Sequence, residues 1–549
     1  MDFSGSVGDW RKSSRVVQLV LKEDFPSSSG GRPSYSSSRA HGTPSGFHKK
    51  VLRLNLITDQ SFLALVTTIV VAAWLASVCG SPTFTRTFPR EGRTVRLAFL
   101  GWFGVSMGSW WYLPSALPWL LLVTLGLGGI VALVDFRSKR NAHDSPPGRL
   151  SVLQGVRALA RRDHYLREFD RHGVFFKMSQ FGQPTICVLG LERIGRLIKG
   201  HSDYLGPSTL PISRSVEGAF LRYMPPETHA IYGRLFRIAM SGPFASTHSD
   251  RLDHLCSRHL QRFSTNESSP YPALLSIARR SLNCLLLGFD ADTEEEARFD
   301  ELAQKFSKAG ISRSLVRRDQ ETLAEMREML LEKVDSSEIG PDGIAGTSVL
   351  ARLRQQDSTM PDRTCLDNMI VMHRIATGNV SSLLSWLLYR WASESAITAE
   401  ILADDPEERE ASLRLFLAET LRTSQSEYLY RRVAREFEFE GHRFPKGWLI
   451  RGCVWESHRT AEGLEEPARF RLRRAAASPN RRQFTPLGMG AHACNGGEVN
   501  ELICLAFLKR MAHTPDVRVT DADPLQRQMR HWSHWQPNAA MQLRLGVAE

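Results

Sequence analysis

Apolar and polar positions are spread unevenly along the chain and divide it into three parts. Residues 1–48 are rich in Ser, Gly and Pro, as in Ser27-Ser-Ser-Gly-Gly and Ser34-Tyr-Ser-Ser-Ser. Such a stretch buries too little surface to offset chain entropy, so disorder is predicted there. No apolar core lies near the start, as a cleavable signal peptide would need. Residues 49–140 carry long apolar runs. The run 61–80 has no charge and the length, about 20 residues, that crosses a bilayer as a helix. A second apolar region, 97–134, is broken at Leu113-Pro114 and Leu117-Pro118, which splits it into 97–113 and 115–134. The Trp110-Trp-Tyr112 cluster at the break suits a membrane interface. Arg86, Arg90, Arg93 and Arg96 follow the first run, and Arg137, Lys139 and Arg140 follow the last. Three spans place both groups on the cytosolic side, whereas Lys49, Lys50 and Arg53 weigh against three. The expectation is an anchor of two or three transmembrane helices.

From residue 145 the pattern changes again. Pro146-Pro-Gly148 reads as a linker, and helical periodicity then alternates with short strands such as Val174-Phe-Phe-Lys-Met and Thr185-Ile-Cys-Val-Leu. A helix is predicted over 413–422 and a long one beginning near Asp367. Gly441-His-Arg-Phe-Pro445-Lys-Gly447 reads as strand, turn and strand. The fold class expected for 145–549 is mainly α with small β-sheets.

Composition narrows the function classes. The chain has 549 residues, 42% of them hydrophobic, enough for a large core. Its eight cysteines show no Cys-x-x-Cys pairing, so neither a zinc site nor a disulfide framework is indicated. The formal charge of +12 comes without a Lys/Arg run interleaved with aromatics, so no nucleic-acid partner is expected.

The most chemically specific segment is Phe484-Thr-Pro-Leu-Gly488-Met-Gly490-Ala-His492-Ala-Cys494-Asn-Gly496-Gly497. Its glycines permit backbone angles and close approaches that a side chain would block, so the loop can lie flat on a planar ligand with the cysteine sulfur aimed at a metal. Upstream, Glu419 and Arg422 share one helix face. Arg432-Val-Ala434, the Pro445-Lys-Gly447 turn, His458-Arg459 and Glu466-Pro-Ala-Arg-Phe470-Arg-Leu-Arg-Arg474 follow in order. Together these elements resemble the cytochrome P450 family, in which a Cys thiolate is the proximal haem-iron ligand. The resemblance extends over about 145–549. It departs at Leu472 and Ala475, where relatives more often carry Pro and Phe.

The resemblance implies haem b (iron protoporphyrin IX), with Cys494 as axial ligand and Glu419, Arg422 and Arg474 as a buried structural triad. His492 and Arg432 would meet the propionates, with His229 and Arg234 as further candidates, and Phe484 and Gly488 would shape the haem-facing loop. The long helix would cross the haem, where relatives carry an acid followed by Thr. Here it reads Ile375-Ala-Thr377-Gly378-Asn379-Val380-Ser381-Ser382. Anchored on Gly378, the acid place holds Val380 and the alcohol place Ser381; anchored on Trp386, they hold Gly378 and Asn379. Neither register supplies a carboxylate, leaving Ser381, Asn379 and Thr377 as catalytic candidates.

The implied activity is oxidation of an apolar small molecule by O2 in specialised metabolism. Electrons would come from an NADPH–cytochrome P450 reductase docking on Arg471, Arg473, Arg481, Arg482, Lys509 and Arg510. The implied location is a membrane, the endoplasmic reticulum with the catalytic part facing the cytosol. The missing acid leaves open a haem-thiolate isomerase, dehydratase or nitric-oxide-reductase-like enzyme. A haem protein without turnover is the remaining reading.

Overall fold

The computed structural model describes residues 145–546 except 151, 181–182, 208–219, 242–244, 265–266, 308–316, 336–347, 357–361, 426–427, 475–483, 515, 524 and 528–534. Among these residues no helix is long and apolar enough to cross a membrane. The expected tail and the spans at 61–80, 97–113 and 115–134 lie outside them.

Fourteen α-helices occur among the described residues. They are α1 (Val152–Ala160), α2 (His164–His172), α3 (Leu191–Gly200), α4 (Pro226–Met240), α5 (Ala245–Leu260), α6 (Tyr271–Leu287) and α7 (Glu294–Ser307). Then come α8 (Arg317–Asp335), α9 (Val349–Gln356), α10 (Arg363–Ser393), α11 (Ser395–Ala403), α12 (Pro406–Thr420), α13 (Val454–Arg459) and α14 (Gly497–Ala512). The largest core cluster is built around α10 and draws on α5, α6, α7, α8, α12 and α14. Buried Leu366, Ile370, Leu384, Leu387 and Leu388 face it from α10. Asp362 fixes where this 31-residue helix begins, because its carboxylate accepts from the Cys365 N–H at 2.7 Å. Its other oxygen accepts from Tyr232 Oη at 2.6 Å, which ties the start of α10 to α4.

One sheet carries the site from the other side. Its strands are β1 (Gly148–Arg149), β2 (Phe175–Gln180), β3 (Gln183–Val188), β4 (Leu205–Pro207), β5 (Leu429–Val433) and β8 (Leu449–Gly452), in the order β1-β2-β3-β8-β5-β4. The β6 (Phe437–Phe439) and β7 (His442–Phe444) hairpin closes through Glu440 and Gly441, both at positive φ. The two faces of the sheet bury different clusters. Phe175, Ile186, Val188, Leu429, Val433 and Ile450 pack on α3, while Phe176, Met178 and Cys187 pack with Ala158 and Tyr165 of α1 and α2. This alternation follows from the two-residue period of a strand. It decides which of two adjacent arginines on β5 can enter the site.

The turn between α1 and α2 is held against the central helix by one cation. The Arg162 guanidinium lies between two indoles, 5.0 Å from the Trp386 ring and 4.3 Å from the Trp455 ring, and also donates to the Ser424 carbonyl. Such contacts are worth about 0.5–2 kcal/mol, more when desolvated.

Candidate functional site

The cysteine loop reverses direction at Gly488 and Gly490, with φ of 82° and 72°. A Cβ at Gly488 would meet nothing closer than 3.8 Å, so backbone angle rather than space requires glycine there. The loop is closed by main-chain bonds. The Cys494 N–H donates to Leu487 O at 2.9 Å and the Ala493 N–H to Gly490 O at 3.1 Å.

Cys494 is the one solvent-accessible thiol among the described cysteines. It is nevertheless set within enough protein for desolvation to push its pKa up, while the Gly496 main-chain N–H pulls it back down. The thiol is thus both accessible and partly desolvated. Directly behind it α14 begins at Gly497, so the positive end of that helix also favours a thiolate.

Two arginines and two histidines gather beside the loop. The His229 and His492 rings lie 4.1 Å apart, and His492 is pushed down to about 3 by burial, Arg431, His229 and Arg222. Burial pushes Arg431 down to about 10, with Arg222 adding to the effect. Among the described residues no carboxylate pairs with any of these four. Arg431 is a buried cation with no described carboxylate beside it, which is costly, and together with Arg222 and the two neutral imidazoles it suits a ligand that brings its own carboxylates. Gly233 makes room for the arrangement, since a Cβ there would come within 3.2 Å of the His229 ring.

The other expected residues separate clearly. Arg432 points to the opposite face of β5, donating to Gln183 Oε1 at 2.9 Å and Gly447 O at 3.1 Å. It therefore stands away from His492, and Arg431 takes that place. The alternation of apolar Leu429 and Val433, which share the face of Arg431, was the available signal. Arg234 is exposed; Arg237, nearly one turn later, donates to Ala491 O of the loop at 3.4 Å. Phe484 is half-buried, its ring centroid 5.9 Å from that of His458.

Behind the loop, Glu419 and Arg422 form a bidentate pair with both bonds at 2.7 Å. Arg422 also donates to the carbonyls of His458, Pro467 and Arg469. Glu419 accepts from the Arg471 N–H at 3.0 Å, and Arg474 Nε lies 3.7 Å from it. All three charged side chains named from the sequence therefore meet. The basic docking surface fares differently. Arg471 pairs with Glu465, Arg473 with Glu400 and Lys509 with Glu410, so these charges are locally balanced; Arg481 and Arg482 lie outside the described residues.

On α10, Thr377 and Ser381 are buried and turn their hydroxyls back on the helix. Thr377 donates to His373 O at 2.8 Å and Ser381 to Gly378 O at 3.1 Å. Asn379 instead falls on a half-open stripe with Met372, Ile375 and Ala376. This geometry favours the register anchored on Trp386.

Two buried histidines make acid stability a test of this packing. Burial and Arg422 push His458 down to about 3, and burial pushes His373 down to about 4. Below about pH 6.5 the unfolded chain takes up protons that the folded chain refuses, so stability falls by about 1.4 kcal/mol per pH unit for each residue. Replacing His458 by Gln should flatten the fall in urea midpoint between about pH 6 and 4. An unchanged slope would mean that His458 is protonated in the folded chain.

A family model described as cytochrome P450 matches residues 321–542. Cytochrome P450 26A1 of Xenopus laevis aligns over 456 residues at 24% identity, 74% of this chain and 92% of that protein. Residues 321–542 belong to the cytochrome P450 family. The cytochrome P450 fold is equally evident in the retinoic acid-bound cyanobacterial CYP120A1, with a TM-score of 0.61 at 18% identity over 74% of this chain and 99% of that one. Abscisic acid 8'-hydroxylase 1 of Arabidopsis thaliana is 27% identical over 183 residues, which is 30% of this chain; the match spans 39% of that relative's length. The family implies a haem-thiolate cofactor, O2 and a redox partner. The accessible Cys494 thiol and the buried Arg431 with no carboxylate paired to it among the described residues fit such a group.

Proposed function

We propose that the protein is a haem-thiolate monooxygenase that hydroxylates an apolar small molecule. Two coinciding features carry this reading: an accessible, desolvated Cys494 thiol backed by a helix N-terminus, and beside it Arg431 and Arg222 with two neutral histidines and no paired carboxylate among the described residues. Cys494 would ligate the iron of haem b, while Arg431, His492, His229 and Arg222 would hold its propionates. When bound, the haem supplies O2 activation, which thiolate ligation promotes. The chain's own residues bind, orient and exclude water. Met372, Ile375 and Ala376 offer an apolar surface to the substrate, and Asn379 offers one polar group.

The relatives' names, abscisic acid 8'-hydroxylase among them, support hydroxylation of a small molecule, and the proposal places the reaction in specialised metabolism. Electrons would come from an NADPH–cytochrome P450 reductase. Residues 49–140 would anchor the protein in the endoplasmic reticulum membrane, with 145–549 in the cytosol and 1–48 as a disordered tail. A chain lacking residues 1–140 should stay in the supernatant with its haem. Sedimentation of well-folded truncated protein with membranes would point to a further attachment.

Arg431→Ala should lower haem retention on dilution, whereas Arg432→Ala should leave it near wild type. Equal retention by the two variants would remove Arg431 from the propionate site. A second reading, a haem-thiolate isomerase, dehydratase or nitric-oxide-reductase-like enzyme, is favoured by one observation: neither register of α10 supplies an acid. Purified protein with reductase, NADPH and a bound ligand decides between them. Ligand-dependent O2 consumption with a hydroxylated product supports the monooxygenase; turnover without reductase supports the second reading.

A further inference from the structure

One row across the large sheet sets unlike residues side by side. Cys187 on β3 lies opposite Arg451 on β8, and Arg451 lies opposite Tyr430 on β5. The chain leaves β8 at Gly452, and Cys453 stands next at the N-cap of α13, its N–H donating to Val188 O at 2.9 Å. The two thiols thus share the buried cluster beneath α1 and α2, within hydrogen-bonding reach of each other. Both are fully buried and unbridged.

A guanidinium stands over one of them. Arg451 Nη1 donates to Cys453 Sγ at 2.8 Å and Nη2 pairs with Glu456 at 3.1 Å, while the guanidinium carbon lies 3.6 Å from the centre of the Tyr165 ring. Arg451 is only 3% exposed, yet its Nε has no hydrogen-bond partner among the described residues. The same holds for the hydroxyls of Tyr165 and Tyr430, which sit in its field. Buried polar atoms are seldom left unpaired. Three of them in one cluster suit a small molecule that both donates and accepts hydrogen bonds, as water does.

Buried cysteines are ordinarily inert, because burial opposes the thiolate that reacts. Burial does push the Cys187 thiol up, and its bond with Cys453 adds to the effect. At Cys453 a charged donor faces the sulfur, the arrangement that readies a thiol as nucleophile.

We propose that Cys453 and Cys187 form an oxidisable dithiol whose oxidant is hydrogen peroxide, a molecule little larger than water. The Cys453 sulfur, its proton released, attacks one peroxide oxygen. An S–O bond forms, the O–O bond breaks, and the departing hydroxide takes up that proton as water. Cys187 then attacks the Cys453 sulfur, as a thiol does a sulfenic acid. The S–S bond forms, the S–O bond breaks, and hydroxide leaves with the Cys187 proton as a second water. The two thiols together lose two electrons, and one peroxide gains them. The bridge ties β3 to the start of α13, the helix whose His458 carbonyl accepts from Arg422.

The full-chain protein is treated with hydrogen peroxide, quenched in denaturant with iodoacetamide and mapped as peptides without reduction. The expected product is a peptide pair linked through residues 187 and 453, formed while the far-ultraviolet circular dichroism is still native. Glutathione disulfide, too bulky to enter, should leave both thiols free. In Cys187→Ala the Cys453 sulfenic acid has no partner, so dimedone in the quench should label residue 453. In Cys453→Ala, Cys187 should remain a thiol. Linkage that is absent from native protein, or that appears only once the dichroism has changed, overturns the proposal. So does a glutathione adduct on either residue in folded protein, or dimedone labelling of Cys187 in Cys453→Ala. Where an alanine variant does not fold, the wild-type peptide map decides alone.

Discussion

Cys494→Ala is expected to abolish the thiolate-type spectrum of the reduced carbon monoxide complex, leaving colourless protein or haem held by a different ligand. Among the described cysteines no other thiol is accessible. Cys187, Cys256, Cys284, Cys365, Cys453 and Cys504 are all buried, and each is committed to packing elsewhere in the fold. The loop itself should survive, because its bonds are main-chain ones: the donor at position 494 is the backbone N–H to Leu487 O. The loss would therefore be chemical rather than structural, and the variant's melting temperature without haem should stay close to that of haem-free wild type. Free Cys494 has a raised pKa through desolvation. Thiolate formation and iron binding are consequently coupled, since a metal draws the proton off a coordinating thiol. A Cys494→Ala protein with an unaltered spectrum would remove the sulfur from the iron and with it the functional reading.

Glu419→Ala should have the largest effect on folding. It leaves the Arg422 guanidinium buried without its bidentate partner and takes the counter-charge from Arg474. Breaking one side of a buried pair costs about 3–5 kcal/mol, a large share of the stability of most domains. Three carbonyls, of His458, Pro467 and Arg469, still accept from Arg422. The expected result is thus a sharply reduced yield and urea midpoint rather than a new fold. Glu419→Gln, which keeps one acceptor oxygen, should fall between the two. Wild-type midpoint and haem content in Glu419→Ala would show that the pair contributes nothing net.

The parts of the site legible in the sequence were those whose residue types are tied to a fixed local spacing. Gly488, Gly490, Cys494 and the Gly496 N–H act within one loop, and Glu419 and Arg422 are neighbours on a single turn. Arg474 was legible for another reason: only a few residues separate it from Pro467 and Arg469, whose carbonyls also face Arg422. What could not be read was orientation across elements. Arg431 and Arg432 are identical in type and adjacent, and only the pairing of β5 with β8 and β4 decides which one faces His492. The register of α10 was ambiguous for the same kind of reason. Gly378 and Trp386 each offer a consistent anchor until packing shows that Asn379 is half-open and Ser381 is turned inward. The acidic neighbours of Arg473 and Lys509 could not be read either: Glu400 and Glu410 are distant along the chain and meet them only in three dimensions.

The guanidinium of Arg162 gives the protein an internal optical gauge. Two of its twelve tryptophans, Trp386 on the central helix and Trp455 on α13, flank the same cation. Undocking of the α1–α2 pair would strip that charge from both indoles at once while leaving their helices in place. Their emission would then register release of this leading segment as a step separate from global melting, with no label added.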